Sequence, residues 1–425
     1  MNYKETTEWL FTQLPMYQKE GKSAYKANLE NSTILDSRFG HPHTKYRTIH
    51  VAGTNGKGSV SHMLASIFQE AGYKTALYTS PHLKDYRERI KINGKEISEE
   101  FVVRFVEENR EFLENLQPSF FEMTSTMAFS RFAEECVDIA IIEVGLGGRL
   151  DSTNVITPEL SVITNISLDH TALLGNSTEK IAVEKGGIIK SGRPVVIGEY
   201  NPEYAHIFTE IAQEENAPIT FASNEWNCTK NNDGSYNYTS NSNSATYNNL
   251  ECELKGEYQS QNIATVLQAI HTLKAEKFNI SEQAIIQGIA KVITNTNLMG
   301  RWQVLSHEPY TVCDTGHNPG AFKYLVKQME AHQHKTLRIV LGMVSDKDIE
   351  TVISMLPKNG VYYFCKPQIK RAMDEATLME IGKKHSLNGN CYTTVKEAYQ
   401  SAKNEASPMD MIYIGGSTFV VAEIL

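Results

Sequence analysis

A glycine-rich turn early in the chain has the residue types that bind phosphate. It reads G-T-N-G-K-G-S over residues 53–59 and lies between a short apolar run and a segment with apolar residues at helical spacing. Backbone N–H groups of such a turn and of the following helix point at an anion, and Lys57 adds a positive charge. The strict pattern G-x-x-x-x-G-K-[ST] fails, because Val51 and Gly58 stand where it needs a glycine and a hydroxyl. The sequence therefore predicts a nucleotide phosphate site whose Mg²⁺ ligands come from elsewhere in the chain; the alternative is an ordinary turn before a helix.

Three polar side chains follow or end predicted strands of one sheet. Ser80 follows the strand at 74–79, Glu143 stands near the end of the run V-D-I-A-I-I-E-V, and His170 follows the strand at 160–166. Ligands gather at the carboxyl ends of parallel strands, and a carboxylate buried there is costly unless it is paired or bound to a metal. We expect the three to share one cation. The alternatives are a turn serine before a proline, a structural ion pair and a packed histidine.

The elements that must position these residues follow a strand–helix alternation over residues 48–221, typical of βαβ units. We predict an α/β fold: a P-loop-containing, doubly wound, mostly parallel sheet and a second, smaller Rossmann-like α/β domain. The expected domains are 1–295, with a small β-rich insertion at about 223–258, and 301–425, joined by a linker at 296–300.

Composition excludes several classes of protein. The 425 residues carry a formal net charge of −9, which argues against a general nucleic-acid binder. Six cysteines without a C-x-x-C pair indicate reduced thiols and a cytoplasmic protein. No signal peptide or apolar run of membrane-spanning length occurs, so no membrane association is expected. Tyr17, Gln18 and Tyr25 are predicted to be surface or packing positions rather than substrate contacts.

Eight motifs in order, between residues 50 and 319, resemble the folylpolyglutamate synthase / dihydrofolate synthase family of the Mur ligase superfamily. They are H-V-A-G-T-N-G-K-G-S, T-S-P-H-L, E-V-G-L-G-G-R-L-D-S-T-N, L-D-H-T-A-L-L-G, E-K-G-G-I, Y-Q-S-Q-N, G-R-W-Q and D-T-G-H-N-P, with G-G-S-T near the end. The displaced Ser59 is itself a mark of this family, whereas Gly187 stands where the family usually has alanine. The resemblance implies a Mur ligase central domain for the first sheet.

The resemblance also implies roles for individual residues. It assigns to the ATP site Thr54, Asn55, Gly56, Lys57, Asn262, Arg301 and Asp314. It assigns to Mg²⁺ Ser80, Glu143 and His170. It places at the pterin Ser119, Phe120, Phe121, Glu122, Leu150, Asp151 and Ser152. Lys185 corresponds to a lysine that the family carbamylates, His317 and Ser417 are candidates for glutamate contacts, and Lys57, Lys185 and His317 are the catalytic candidates.

The implied activity is an ATP-dependent ligase that adds L-glutamate to dihydropteroate, giving dihydrofolate, and to reduced folates, through an acyl phosphate. It implies ATP as cosubstrate, two Mg²⁺ ions, K⁺ as a further candidate ion, a monomer, and closure of the C-terminal domain about residues 294–300. A synthase restricted to polyglutamylation is the nearest alternative. A peptidoglycan Mur ligase is disfavoured because only about fifty residues precede the loop, and a non-catalytic nucleotide switch is disfavoured by the metal-type ligands.

Overall fold

The computed structural model describes residues 1–14 and 28–425, so Tyr17, Gln18 and Tyr25 lie outside the described residues. Two compact units make up the chain. The first comprises Met1–Ser167, Ala172–Glu253 and Ser260–Asn297. The second comprises Leu168–Thr171, Leu254–Gln259 and Leu298–Leu425. Among the described residues, none of the helices has the length and apolar character needed to span a bilayer.

An eight-stranded sheet forms the centre of the first unit, in the order β4-β3-β2-β5-β1-β6-β7-β8. Its strands are β1 Arg47–Ala52, β2 Thr75–Tyr78, β3 Ile90–Ile92, β4 Lys95–Glu96, β5 Ile139–Glu143, β6 Leu160–Ile163, β7 Val195–Ile197 and β8 Ile219–Phe221. Six strands pair in parallel, in the order β2, β5, β1, β6, β7 and β8. At one edge, β3 and β4 are added in antiparallel pairing. Every residue of β5 is buried, as expected for a central strand covered on both faces. The predicted doubly wound, mostly parallel sheet is confirmed.

Helices cover this sheet. They are α1 Tyr3–Gln13, α2 Glu30–Arg38, α3 Lys57–Glu70, α4 Glu99–Leu116, α5 Phe120–Glu134, α6 Thr171–Leu174, α7 Thr178–Gly186, α8 Ala205–Glu214, α9 Ala222–Glu225, α10 Gln259–Ala275, α11 Glu282–Ala290 and α12 Val292–Thr296. The described residues also form 3₁₀ turns at Pro42–Lys45, Tyr86–Arg89 and Ser152–Val155. The helix after the glycine-rich turn, α3, is buried from Gly58 to Phe68 and packs against α11, where Gly288 allows close approach: an added Cβ would lie 2.5 Å from Ile67 Cα. Thr296, with which the predicted linker begins, is the last residue of α12.

A segment rich in Asn and Tyr, residues 226–250, forms a small antiparallel sheet in the order β11-β10-β9. The strands are β9 Trp226–Lys230, β10 Tyr236–Ser240 and β11 Thr246–Leu250. The turn between β9 and β10 contains Gly234, which has φ +88°. Trp226 Nε1 donates to Gln268 Oε1 at 3.1 Å, which attaches the sheet to α10.

The second unit contains a six-stranded sheet in the order β12-β13-β17-β14-β15-β16, parallel except for β12. The strands are β12 Gln303–His307, β13 Tyr310–Asp314, β14 Leu337–Leu341, β15 Val361–Cys365, β16 Asn388–Tyr392 and β17 Met411–Gly415. The helices are α13 Pro319–Ala331, α14 Ile349–Met355, α15 Glu375–Lys384, α16 Val395–Glu405 and α17 Thr418–Ile424. This unit agrees with the second, smaller α/β domain that the sequence predicts.

Candidate active site

The glycine-rich turn connects β1 to α3, and its backbone excludes side chains at two positions. Gly53 has φ +140° and Gly56 has φ +86°, which are conformations that favour glycine. A Cβ on Gly53 would lie 1.9 Å from Thr164 Oγ1, and one on Gly56 would lie 2.4 Å from Asn262 Oδ1. Asn262, a predicted ATP contact, therefore lies directly beside the turn within the first unit.

Polar side chains fix the shape of this turn. Thr54 Oγ1 donates to the Ser167 carbonyl at 3.1 Å, and Asn55 Nδ2 donates to Ser167 Oγ at 3.3 Å. Lys57 Nζ lies over the turn and donates to the carbonyl oxygens of Gly53 and Thr54 at 2.9 and 3.1 Å. The turn thus presents a positive charge and the N-terminus of a long buried helix, which is what a nucleotide phosphate requires.

Two of the three predicted metal ligands meet at the end of β5. Glu143 is 3% exposed, and its Oε2 accepts a hydrogen bond from the backbone N–H of Ser80 at 3.2 Å. Ser80 follows β2, the neighbour of β5 in the sheet. A hydroxyl and a carboxylate are oxygen donors of the kind that Mg²⁺ prefers, so this pair fits the predicted ion. His170 belongs to the second unit, where its Nε2 lies 3.3 Å from Lys347 Nζ.

The predicted pterin residues occupy two segments that lie side by side in the first unit. Ser125 Oγ in α5 donates to Ser152 Oγ at 3.2 Å, which places α5 beside the turn that contains the half-buried Leu150. The ring of Phe121 lies against Gly145, where an added Cβ would be 2.3 Å from Phe121 Cε1. These segments could hold an aromatic ligand beside the end of β5.

Several of these residues also have local structural roles. Ser119 and Glu122 form a capping box at the N-terminus of α5, with Ser119 N donating to Glu122 Oε2 at 2.6 Å. Asp151 is buried and accepts from Leu146 N at 2.8 Å and Thr153 N at 3.0 Å, while its burial raises the pKa of its carboxyl group. Capping alone explains their side-chain types, so their contacts with a pterin stay predictions.

Arg89 is a candidate that the sequence reasoning missed. Its side chain is fully buried, and its Nε donates to His82 Nδ1 at 2.7 Å. Within the described part of the chain, its Nη1 and Nη2 have no hydrogen-bond partner. Its guanidinium lies 5.1 Å from the ring centroid of Phe120 and 5.4 Å from that of Phe121. Burial lowers the pKa of Arg89, and leaving its two nitrogens unpaired is unfavourable, so the site favours an oxyanion ligand.

Lys185 lies near the C-terminal end of α7 and is 4% exposed, so it is a buried lysine and not a surface one. The backbone beside it packs tightly on the turn after β5. Arg149 N donates to the Glu184 carbonyl at 2.7 Å, and an added Cβ on Gly148 would lie 3.1 Å from the Lys185 carbonyl oxygen. The lysine is thus held beside the turn that leads to the predicted pterin residues.

In the second unit, Asp314 ends β13 and is buried. Its Oδ2 accepts from Tyr258 OH at 2.6 Å and from Trp302 N at 2.7 Å, while burial raises the pKa of its carboxyl group. Arg301 Nη1 donates to Thr315 Oγ1, so this predicted ATP contact adjoins the segment after β13.

Asp169 links several polar side chains of the second unit. Lys347 Nζ donates to its Oδ1 at 2.6 Å, Asn318 Nδ2 donates to its Oδ2 at 3.1 Å, and His317 Nε2 lies 3.2 Å from the same oxygen. Burial opposes ionisation, but the His317 hydrogen bond and the charge of Lys347 outweigh it and hold the pKa of Asp169 well below its usual range. Ser417 lies elsewhere, as the N-cap of α17, with its Oγ accepting from Val420 N at 3.2 Å.

Comparison with known proteins agrees with this architecture. Residues 51–270 match the Mur ligase middle domain, and residues 300–418 match the Mur ligase, glutamate ligase domain. The dihydrofolate synthase/folylpolyglutamate synthase of Escherichia coli (strain K12) is 34% identical over 399 residues, 93% of this chain and 90% of that protein.

Solved structures give the same result. The structure of E. coli FolC in complex with DHPP and ADP has a TM-score of 0.88 at 31% identity, covering 100% of this chain and 97% of that one. The bifunctional folylpolyglutamate synthase/dihydrofolate synthase from Yersinia pestis complexed with AMPPNP and Mn ion has a TM-score of 0.86 at 28% identity, with the same coverage.

The two α/β units and the glycine-rich turn ahead of α3 define the chain as a Mur ligase. Within that class, the chain belongs to the dihydrofolate synthase/folylpolyglutamate synthase family. The resemblance carried by the eight motifs is confirmed.

Proposed function

We propose that this protein is an ATP-dependent amide ligase that joins L-glutamate to dihydropteroate, giving dihydrofolate, and extends reduced folates with further glutamates. The observation that carries the proposal is the pairing, in one unit, of a phosphate-type turn with a buried carboxylate at the adjacent strand end. Gly53 and Gly56 admit no side chain, and Glu143 receives the Ser80 N–H at 3.2 Å. Family membership supports the substrates, because the E. coli relative is named for both activities.

The reaction has two steps. An oxygen of the substrate carboxylate attacks the γ-phosphorus of ATP, so that an O–P bond forms and the bond to ADP breaks. The glutamate amine then attacks the acyl carbon, phosphate leaves, and the nitrogen loses a proton. The first step needs mainly positioning and charge neutralisation, which the N–H groups of the turn and Lys57 would supply.

The predicted metal ligands Ser80, Glu143 and His170 would hold Mg²⁺, which when bound neutralises charge on the transferring phosphoryl group. We assign Lys185 to carbamylation: CO₂ adds to the neutral amine, an N–C bond forms and a proton leaves, which gives a ligand for a second ion. The burial of Lys185 supports this role because a ligand to an enclosed ion has to be shielded from solvent. K⁺ is a further candidate ion.

The remaining predicted residues keep their roles as proposals. Asn262, Arg301 and Asp314 would contact the nucleotide, and His317 and Ser417 would contact glutamate. We also propose a cytoplasmic monomer with a domain boundary at residues 296–300. The six cysteines are all free, as they are in a reducing compartment.

Arg89 is our proposed contact for the reacting carboxylate. Its guanidinium adjoins Phe120 and Phe121, which are predicted pterin residues. Its carbonyl accepts from Thr79 N at 3.0 Å, one residue before the proposed metal ligand Ser80. A carboxylate between an aromatic ring system and the transferring phosphoryl group would occupy this region, and two guanidinium N–H groups match its two oxygens.

A ligase assay tests the proposal. Purified protein with ATP, Mg²⁺, L-glutamate and dihydropteroate is expected to form dihydrofolate and ADP in equal amounts, and ATP hydrolysis without dihydrofolate would contradict it. A parallel assay with tetrahydrofolate separates the alternative: extension of tetrahydrofolate without dihydrofolate formation would indicate a synthase restricted to polyglutamylation.

A further inference from the structure

A second group of metal-ligating side chains lies outside the candidate active site, between α2 and β1. Asp36, His41 and His43 each offer one ligand atom, and these atoms all lie within 4.8 Å of one another. His41 Nδ1 lies 2.6 Å from Asp36 Oδ2, and His43 Nε2 lies 3.3 Å from both carboxylate oxygens. Asp36 Oδ1 is buried and has no hydrogen-bond partner among the residues that the structure describes, so the carboxylate has an unsatisfied oxygen on the side of His43.

The backbone fixes these three side chains close together before any ligand binds. His41 N donates to the Asp36 carbonyl at 2.9 Å, His41 adopts the left-handed conformation (φ 49°, ψ 58°), and Pro42 begins the 3₁₀ turn that contains His43. The side chain of Asp36 is 11% exposed and that of His43 is 12%, whereas that of His41 is 57% exposed. Asp36 and His43 are therefore mostly enclosed by the protein, whereas His41 lies at the surface, where an ion can enter.

The separations between His43 and Asp36 match a tetrahedral site, and that between His41 and Asp36 needs a small adjustment. Ligands at about 2.0–2.1 Å from a tetrahedral Zn²⁺ lie roughly 3.3–3.4 Å apart. The separations between His43 Nε2 and the Asp36 oxygens already equal 3.3 Å. The separation between His41 Nδ1 and Asp36 Oδ2 must open from 2.6 Å by about 0.7 Å, which the exposed His41 ring allows.

We propose that Asp36, His41 and His43 form a binding site for a borderline divalent cation such as Zn²⁺ or Co²⁺, with solvent completing the coordination. Two imidazoles and one carboxylate suit these ions, whereas Mg²⁺ requires oxygen ligands. The site is separate from the proposed catalytic ion. It would stiffen the chain ahead of β1 and the C-terminal end of α2, the helix from which Asn31 Nδ2 donates to Glu122 Oε2 at 3.3 Å.

Cobalt titration tests the site directly. Excess Mg²⁺ is present to occupy oxygen-ligand sites, and the visible absorption of Co²⁺ is compared between the wild type and the Asp36→Asn and His43→Gln variants. The wild type is expected to show one-to-one binding with absorption above that of Co²⁺ in buffer, and each variant is expected to weaken binding at least about 10-fold.

His385→Ala is the matched control, since His385 Nε2 lies 2.6 Å from Glu350 Oε2 as a comparable histidine–carboxylate pair. This variant is expected to bind Co²⁺ like the wild type. Thermal unfolding without metal checks that Asp36→Asn and His43→Gln are folded, and Zn²⁺ should raise the Tm of the wild type more than that of either variant. Equal Co²⁺ spectra and equal Zn²⁺ shifts in the wild type and both variants would overturn the proposal, as would a wild-type spectrum no different from that of Co²⁺ in buffer.

Discussion

Replacing Arg89 by methionine tests whether the buried charge of Arg89 binds the substrate or only supports the fold. Arg89 is fully buried and two of its nitrogens have no hydrogen-bond partner among residues 1–14 and 28–425, so its charge is costly to the fold. If those nitrogens bind the substrate carboxylate, Arg89→Met removes two charge-assisted hydrogen bonds. At about 1.5–3 kcal/mol each, the loss is about 3–6 kcal/mol, which corresponds to a decrease of about 10²- to 10⁴-fold in kcat/KM for dihydropteroate.

The effect on stability is expected to be small. Methionine loses the hydrogen bond to His82 and the contacts with Phe120 and Phe121, which together cost a few kcal/mol. It also relieves an unpaired buried charge, a gain of similar size. We therefore expect the free energy of unfolding to change by less than about 2 kcal/mol.

The assay is steady-state dihydrofolate formation with dihydropteroate varied, alongside urea unfolding of the same preparations. Arg87→Met is the control, because Arg87 lies in the same 3₁₀ turn but is ion-paired with Asp85 at 2.9 Å. Its kcat/KM should stay within about twofold of the wild type, because the Arg87 guanidinium is already paired with Asp85. Unchanged kcat/KM in Arg89→Met, or a loss of activity explained by unfolding alone, would refute the role of Arg89.

Three further predictions concern the turn, the sheet and a helix contact. Gly53→Ala should raise KM for ATP, because its Cβ would lie 1.9 Å from Thr164 Oγ1 in a glycine conformation; an unchanged KM would argue against phosphate binding by this turn. Burial, with a smaller effect of a nearby lysine, lowers the pKa of His50 to about 3. The stability due to neutral His50 is present above pH 6.5 and is lost as the pH falls toward 3. The loss is about 1.4 kcal/mol per pH unit. His50→Gln should therefore flatten the pH dependence of the free energy of unfolding in urea over that range. Gly288→Ala should lower the free energy of unfolding by about 1–3 kcal/mol, because its Cβ would lie 2.5 Å from Ile67 Cα; urea unfolding measures this, and no loss would show that α3 and α11 can separate freely.

The central strands of both sheets could be predicted from the sequence. Strands such as β5 and β17 are buried along their whole length, so they read as continuous apolar runs. The strands at the sheet edges show no continuous apolar run. The predictions did not include β16, N-G-N-C-Y, which has no buried residue, or β3 and β4, which are three and two residues long. An edge strand is specified by its neighbour, which the sequence does not reveal.

Parts of the candidate site could be predicted where the backbone or the burial allows only a few residue types. The turn at Gly53–Gly56 and the carboxylate of Glu143 were found because few other residues suit those positions. Arg89 was not found, because the run Y-R-E-R reads as a charged surface segment. The 3₁₀ turn buries Arg89 fully and leaves Arg87 partly exposed in its ion pair with Asp85, which the sequence does not reveal.

An oxygen-transfer experiment tests the central claim, that the substrate carboxylate is activated by phosphorylation. Dihydropteroate labelled with ¹⁸O in its carboxylate is incubated with the protein, ATP, Mg²⁺ and L-glutamate, and the phosphate released is analysed by mass spectrometry. An acyl phosphate intermediate predicts one ¹⁸O atom in phosphate for each dihydrofolate formed. Phosphate free of ¹⁸O while dihydrofolate accumulates would contradict the account.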